Sequence, residues 1–116
     1  MLNKQVMINV FSNLLNQSKK SYDEFNTADG KIGDGDLGIT ILNGLEEINN
    51  NIEKFTDDLS TNFMLCSQAF VKKSGSSFGT LIAFSFINIS LLKFHADKNA
   101  KSTFFSEFLL YFLILM

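Results

Sequence analysis

Apolar residues along the first half of the chain recur at helical spacing in two stretches. The first stretch extends to a polar break at residues 18–21 and contains Val6, Met7, Val10, Phe11, Leu14 and Leu15. The second advances by steps of four, three, four and three residues and contains Ile41, Leu45, Ile48, Ile52 and Phe55. Its predicted polar face carries Asn43, Glu46, Glu47, Asn50 and Glu53. Because this spacing places apolar side chains on one face of a helix, both stretches are predicted to be amphipathic helices.

The second half of the chain predicts two more helices separated by a short loop. One is expected to have Thr56 or Asp57 as its N-cap residue and to end at Lys72 or Lys73. The other covers residues 80–94, which are apolar almost all round, and a helix of this kind is expected to be buried on most faces.

A last helix is predicted over residues 104–116. It follows a polar turn at residues 95–101, and Ser102 or Thr103 is a candidate N-cap. The chain contains no proline, and no strand pattern alternates with the helices. The predicted fold is therefore an all-α antiparallel helical bundle, and 116 residues fit a single domain over residues 1–116.

Composition and charge narrow the function classes. Hydrophobic residues make up 46% of the chain, which is enough apolar surface to form a core. A net charge of −2 without a basic run argues against binding to nucleic acid. The apolar stretch at residues 108–116 is shorter than the roughly twenty residues of a membrane span, and the start does not resemble a secretory signal, so a cytoplasmic protein is expected. Cys66 is the only cysteine, which favours packing over a disulfide or metal site.

The residues between the first two helices, 22–38, are predicted to form a loop with candidate metal chemistry. Four of the seven glycines lie there, at positions 30, 33, 35 and 38. Asp29, Asp34 and Asp36 lie among these glycines, and three converging carboxylates would repel one another without a cation. Hard divalent ions prefer oxygen ligands, so this loop is predicted to bind magnesium that holds the phosphates of a nucleotide.

Three other interpretations of this loop compete with the magnesium site. Residues 33–38 match the GxGxxG pattern of dinucleotide-binding folds, but no strand precedes them. A calcium-binding EF-hand loop starting at Asp34 would need glycine where Ile39 stands and glutamate where Leu45 stands. A simple Asp-Gly turn would explain Asp36 as a helix cap, but it would leave the other two aspartates without a role.

The loop before the apolar helix at residues 80–94 offers hydroxyl groups and backbone amides. Its residues include Ser74, Gly75, Ser76, Ser77, Gly79 and Thr80. Amide donors and the helix dipole at such a position favour an anion, although a serine- and glycine-rich turn is often only a linker.

Taken together, the two loops resemble a known family, the nucleotide-binding L subunit of dihydroxyacetone kinase. Residues 29–38 read DGKIGDGDLG and are followed by Gly44, and residues 74–80 read SGSSFGT. The family's first motif is D-x-x-I-G-D-G-D-H-G with a glycine six residues later, and its second is S-G-x-x-x-G-T. Both the order and the spacing of the motifs match.

This resemblance implies a barrel of antiparallel helices that binds ADP or ATP. Asp29, Asp34 and Asp36 would bind two Mg²⁺ ions that hold the nucleotide diphosphate. The phosphates would be wrapped by Ser74, Gly75, Ser76, Gly79 and Thr80. The resemblance also implies a partner subunit that holds dihydroxyacetone, with either ATP or a phosphocarrier protein of a phosphotransferase system as the phosphoryl donor.

Two departures from the family pattern lead to an alternative. Leu37 stands where the family commonly has histidine, and the match, strongest over residues 22–94, covers only the N-terminal half of the family domain. Half a barrel would expose apolar helix faces, such as that of residues 81–94, and favour self-association. The alternative is therefore a truncated, catalytically inactive remnant or a regulatory helical interaction module, the latter using residues 104–116.

Overall fold

The computed structural model describes residues 2–91, which form five α-helices. The helices are α1 (Lys4–Lys20), α2 (Tyr22–Gly30), α3 (Leu37–Asn50), α4 (Leu59–Lys73) and α5 (Ser77–Leu91). A short 3₁₀ turn, Ile52–Lys54, follows α3, and there is no strand between residues 2 and 91. The all-α prediction is therefore confirmed. The turn at residues 95–101, the caps Ser102 and Thr103 and the helix predicted over 104–116 lie outside the described residues.

The core is organised around α3, which contacts each of the other four α-helices. The buried apolar residues of the core come from α1, α3, α4, α5 and the segment between α3 and α4. They are Met7, Phe11, Leu45, Ile48, Phe55, Phe63, Cys66, Ala69, Phe70, Ile82, Ala83 and Ile89. Phe86 of α5 packs against this cluster, with its ring centroid 6.1 Å from Phe11, 6.2 Å from Phe63 and 5.8 Å from Phe70. One aromatic ring therefore ties α5 to both α1 and α4.

Helix α3 approaches α4 closely because Gly44 has no side chain. A Cβ atom added at Gly44 would overlap the ring of Phe70, which is 2% exposed. The glycine that follows the acidic motif by six residues is thus explained by helix packing, not by a ligand.

The prediction that residues 22–38 form a loop is wrong at both ends, because Tyr22–Gly30 is helix α2 and residues 37 and 38 are the first two of α3. Asp23 and Glu24 lie in its first turn, where acidic side chains favour the positive end of the helix dipole. Gly30 occupies the last helical position, and only Gly35, with φ of 77°, requires the left-handed conformation. The loop between α2 and α3 is thereby reduced to residues 31–36.

Helix α3 also ends earlier than predicted, at Asn50 and not at Phe55. The side-chain amide of Asn51 donates to the carbonyl oxygen of Glu47 at 2.8 Å, and that of Asn49 donates to the carbonyl of Leu45 at 2.9 Å. These bonds satisfy carbonyl groups at the end of the helix and compete with its continuation. Phe55 therefore reaches the core from an extended segment after the 3₁₀ turn.

The predicted N-cap of α4, Thr56 or Asp57, is wrong by one or two residues. Asp58 is the N-cap, and its carboxylate accepts a hydrogen bond from the backbone N–H of Ser60 at 3.2 Å. The Thr56 hydroxyl instead accepts from the N–H of Asp58 at 3.1 Å, so it shapes the turn before the cap. The end was predicted at Lys72 or Lys73, and the helix ends at Lys73.

Glu47 does not lie on a solvated polar face as predicted. It is 6% exposed, and its Oε1 atom lies 2.8 Å from Nζ of Lys72 on α4. This hydrogen bond to Lys72 lowers the pKa of the Glu47 carboxyl below its ordinary value of 4.5, against the opposing effect of burial. Glu47 therefore joins α3 to α4 as a buried carboxylate.

Two apolar stripes face away from the core. On α1, the predicted apolar positions divide, because Met7 and Phe11 are buried whereas the outer stripe is exposed; it consists of Val6, Val10 and Leu14. Helix α5 is not buried on most faces as predicted, since Phe84 is 61% and Leu91 69% exposed, with Leu81 beside them at 39%. Within residues 2–91, no helix is both long and apolar enough to span a bilayer.

Candidate functional site

Asp29 lies in the last turn of α2 and organises the acidic loop, residues 31–36, that follows it. Its Oδ2 atom accepts hydrogen bonds from the backbone N–H groups of Gly35 at 2.9 Å and Asp36 at 3.0 Å. Its carbonyl oxygen accepts from the N–H of Gly33 at 2.6 Å, and a Cβ atom at Gly33 would lie 2.7 Å from Oδ1 of Asp29. The loop therefore folds back over α2, with one oxygen of Asp29 occupied by backbone donors.

Asp34 and Asp36 present carboxylates that are not used in the fold. Asp34 is exposed, and Asp36 is half-buried at the N-cap position of α3 without a capping bond from its side chain. Between residues 2 and 91, no three His, Cys, Asp or Glu side chains are grouped closely enough to hold a metal ion. The structure therefore places Asp34 and Asp36 on the loop and Asp29 in the last turn of α2 before it, but it does not gather their carboxylates around one point.

The donor set nevertheless fits magnesium in its chemistry. Mg²⁺ is commonly bound through one or two carboxylates, with substrate phosphates and water completing its shell. Asp34 and Asp36 supply two carboxylates that have no protein hydrogen bond within the described residues, and Asp29 holds the backbone that carries them.

Asn26 of α2 was not anticipated by the sequence analysis. Its Oδ1 atom accepts hydrogen bonds from the N–H groups of Gly38 at 2.7 Å and Ile39 at 3.3 Å, at the start of α3. A Cβ atom at Gly38 would overlap the carbonyl oxygen of Tyr22, so the glycine permits this approach of α2 and α3. No spacing rule marks Asn26, because its partners lie twelve and thirteen residues away.

The second motif, residues 74–80, is called the serine loop, and it is built around the hydroxyl group of Ser76. This oxygen accepts from the N–H of Gly79 at 3.1 Å, as an N-cap side chain does, and lies 3.3 Å from Oγ of Ser74. A Cβ atom at Gly79 would overlap the Ser74 hydroxyl, so Gly79 lets Ser74 pack against the start of α5. Helix α5 consequently begins at Ser77, three residues before the predicted start at Thr80.

Gly75 and Thr80 have different surroundings from these serines. Gly75 is exposed, and a Cβ atom there would meet nothing within 4 Å. Thr80 lies inside α5, where its hydroxyl donates to the carbonyl oxygen of Ser76 at 3.2 Å. The exposed end of this loop is thus at Gly75, and the Thr80 hydroxyl is already bonded to its own helix.

Thr40 joins the two predicted loops. Its N–H donates to the carbonyl oxygen of Asp36 at 2.9 Å, and its side-chain oxygen lies 2.8 Å from that of Ser76. Thr40 is 4% exposed and Ser76 is half-buried, so this hydroxyl pair is partly shielded from water. Thr40 is not predicted from the sequence, where its one signal is a hydroxyl residue one helical turn after Asp36. The acidic loop and the serine loop are therefore adjacent in space.

Cys66 is fully buried in the core, as expected for a packing residue. Burial raises the pKa of its thiol, which leaves the reactive thiolate form unpopulated near neutral pH. Cys66 takes no part in the candidate site.

The fold and the site define an all-α domain in which an aspartate- and glycine-rich loop lies beside a serine-rich helix start. The model of the DAK2 domain family matches residues 31–111, and the chain belongs to that family. Asp34, Asp36 and residues 74–80 lie inside the match, and Asp29 lies just before it. No curated protein and no solved structure matches the chain significantly. DAK2 domains are nucleotide-binding and belong to kinase machinery.

Proposed function

We propose that the chain binds ADP or ATP together with magnesium and serves as the nucleotide-binding subunit of a dihydroxyacetone kinase. The observation that supports this most strongly is the hydroxyl contact between Thr40 and Ser76, since it joins the first turn of α3, which follows the acidic loop, to the serine loop in a DAK2 family member. An acidic loop next to an anion-favouring helix start suits a metal-bound diphosphate.

Asp29, Asp34 and Asp36 are the proposed magnesium ligands, with two ions as the expected number. When bound, magnesium neutralises charge on the phosphates and on a transferring phosphoryl group. The role of the chain is to hold the carboxylates ready, and Asp29 contributes by accepting hydrogen bonds from the backbone N–H groups of Gly35 and Asp36. Both bonds end on Oδ2, and Oδ1 of Asp29 accepts no hydrogen bond within residues 2–91.

The phosphates are proposed to bind at the serine loop through Ser74, Gly75, Ser76, Gly79 and Thr80. The N-terminal end of α5, a helix of fifteen residues, carries a partial positive charge. Since the hydroxyl groups of Ser76 and Thr80 are already bonded within the protein, backbone amides near the exposed Gly75 are the most accessible donors.

We further propose that residues 1–116 act as one cytoplasmic unit and do not bind nucleic acid. Its partner would be a subunit that holds dihydroxyacetone, with ATP or a phosphocarrier protein as the phosphoryl donor. The partner and the donor are proposed from the family and its motifs, and the absence of nucleic-acid binding from the net charge of −2.

A second candidate function, a helical interaction module, is favoured by the exposed side chains of Phe84 and Leu91 on α5. Apolar surface of this kind favours association with another chain, including a second copy of this one. Sedimentation velocity over a range of concentrations tests this. The wild type should associate, and Phe84→Ser combined with Leu91→Ser should reduce the association. A wild type that stays monomeric at every concentration would contradict the proposal.

Isothermal titration of the full chain with Mg²⁺ and ADP tests the nucleotide-binding proposal. Binding is expected in the wild type and is expected to be lost in the Asp34→Ala, Asp36→Ala double variant. Asp57→Ala, which removes an exposed carboxylate near the opposite end of α4, is the control and should bind normally. The proposal fails if the wild type does not bind, or if the double variant binds equally well.

A further inference from the structure

The start of α3 is capped by a side chain from another helix. In an ordinary helix the N-cap residue, here Asp36, would accept a hydrogen bond from the second or third N–H of the helix, at Gly38 or Ile39. Both donors instead point to Oδ1 of Asn26 on α2, at 2.7 and 3.3 Å. Asn26 therefore performs the capping that its position would assign to Asp36.

This exchange leaves the Asp36 carboxylate without a structural duty. The backbone of Asp36 is held on both sides, since its N–H donates to Asp29 and its carbonyl oxygen accepts from Thr40. Its side chain makes no capping bond and is half-buried at the end of the acidic loop. A fixed backbone with an uncommitted carboxylate is the arrangement that a metal ligand requires.

We propose that Asn26 is a positioning residue that keeps the Asp36 carboxylate available for a divalent cation. The inference rests on the proposed magnesium site. An amide oxygen suits this role because it accepts two N–H groups without adding a fourth negative charge near Asp29, Asp34 and Asp36. Gly38 is also required for this contact, since any larger residue would push α2 away and separate Asn26 from its donors.

Amide hydrogen exchange on the metal-free full chain tests the capping part. Asp36→Ala should leave the protection of the Gly38 and Ile39 amides within about twofold of wild type, because the Asn26 cap remains. Asn26→Ala should lower this protection less than the Asn26→Ala, Asp36→Ala double variant does, since Asp36 can cap the helix in its place. The double variant should lose protection about five- to tenfold, the effect of a missing cap. The proposal is overturned if Asp36→Ala alone exposes both amides as strongly as Asn26→Ala.

The positioning part is tested with Mn²⁺, which substitutes for Mg²⁺ and whose binding is measured by electron paramagnetic resonance. Asn26→Ala should weaken Mn²⁺ binding about tenfold, because Asp36 turns to the helix. Asn26→Ser, which keeps a short side-chain acceptor without adding charge, should recover part of the binding, and Asn13→Ala on the exposed side of α1 is the control. Circular dichroism checks that each variant is folded.

The two measurements separate the possible failures. If Asn26→Ala loses the cap but binds Mn²⁺ as tightly as wild type, Asn26 has no positioning role. If the wild type binds no Mn²⁺, the proposed function fails and the positioning role fails with it, whereas the exchange data still decide which residue caps α3.

Discussion

The side-chain oxygens of Thr40 and Ser76 lie 2.8 Å apart although the residues are separated by 36 positions in the sequence. Replacing Thr40 by valine keeps the shape of the side chain but removes this hydrogen bond inside the protein. We expect a loss of about 1 kcal/mol in the free energy of unfolding, measured by urea denaturation. Thr27→Val on the exposed side of α2 is the control, and equal losses in both variants would contradict the assigned role.

Gly44→Ala should destabilise the protein even though alanine favours helices. The gain in helix propensity is about 1 kcal/mol, whereas forcing extra volume into a packed core costs about 1–3 kcal/mol. The cost should prevail because the Phe70 ring is buried and cannot move aside freely. Thermal unfolding measures the effect, with Gly75→Ala as a control in open space. Partial rescue by Phe70→Leu in the Gly44→Ala background would confirm the cause.

Asn62 ties the segment before α4 to the core. It is fully buried, its Oδ1 atom accepts from the N–H of Thr56 at 2.8 Å, and its Nδ2 atom donates to the carbonyl of Thr56 at 2.7 Å. Asn62→Ala should lower the free energy of unfolding by about 1–3 kcal/mol, because backbone groups lose their partners. Urea denaturation is the measurement. A cost no larger than that of Asn88→Ala, at an exposed position of α5, would contradict it.

The ion pair between Glu47 and Lys72 predicts a pH dependence. The hydrogen bond to Lys72 lowers the pKa of Glu47 in the folded state below its ordinary value of 4.5. The folded state therefore gains stability from the ionised carboxylate above pH 4.5, and this gain is lost as the pH falls through the lowered pKa. Denaturation of wild type and Glu47→Gln at about pH 6.5 and pH 3 should give a difference that shrinks in acid. A difference that grows in acid would contradict the sign.

The helices could be predicted from the sequence because apolar spacing reflects burial directly, as Leu45 and Ile48 illustrate. Helix ends were less predictable, since they depend on hydrogen bonds between particular atoms. Asn51 ends α3 through a bond to the Glu47 carbonyl, which no periodicity reveals. The glycines of residues 22–38 suggested a loop, but their presence alone could not show that only Gly35 has a positive φ.

The candidate site could be predicted in its residues but not in its connections. The aspartates and serines were identified by chemistry and spacing, whereas Asn26 and Thr40 were not. Both act through partners that are distant in sequence, and such pairs become visible only when the helices are placed in space. The burial of Glu47 was missed for the same reason, because its partner Lys72 lies on another helix.

The burial of Cys66 has a practical consequence for spectroscopy. Since its thiol is shielded and its pKa is raised, the folded chain should behave towards thiol reagents as though it had no cysteine. Spin labels attached to cysteines introduced at Val71, 63% exposed in the last turn of α4 before the serine loop, and at Ile32, 95% exposed, would then carry no background signal. The distance between the two labels would report directly whether the acidic loop and the serine loop draw together when a nucleotide is added.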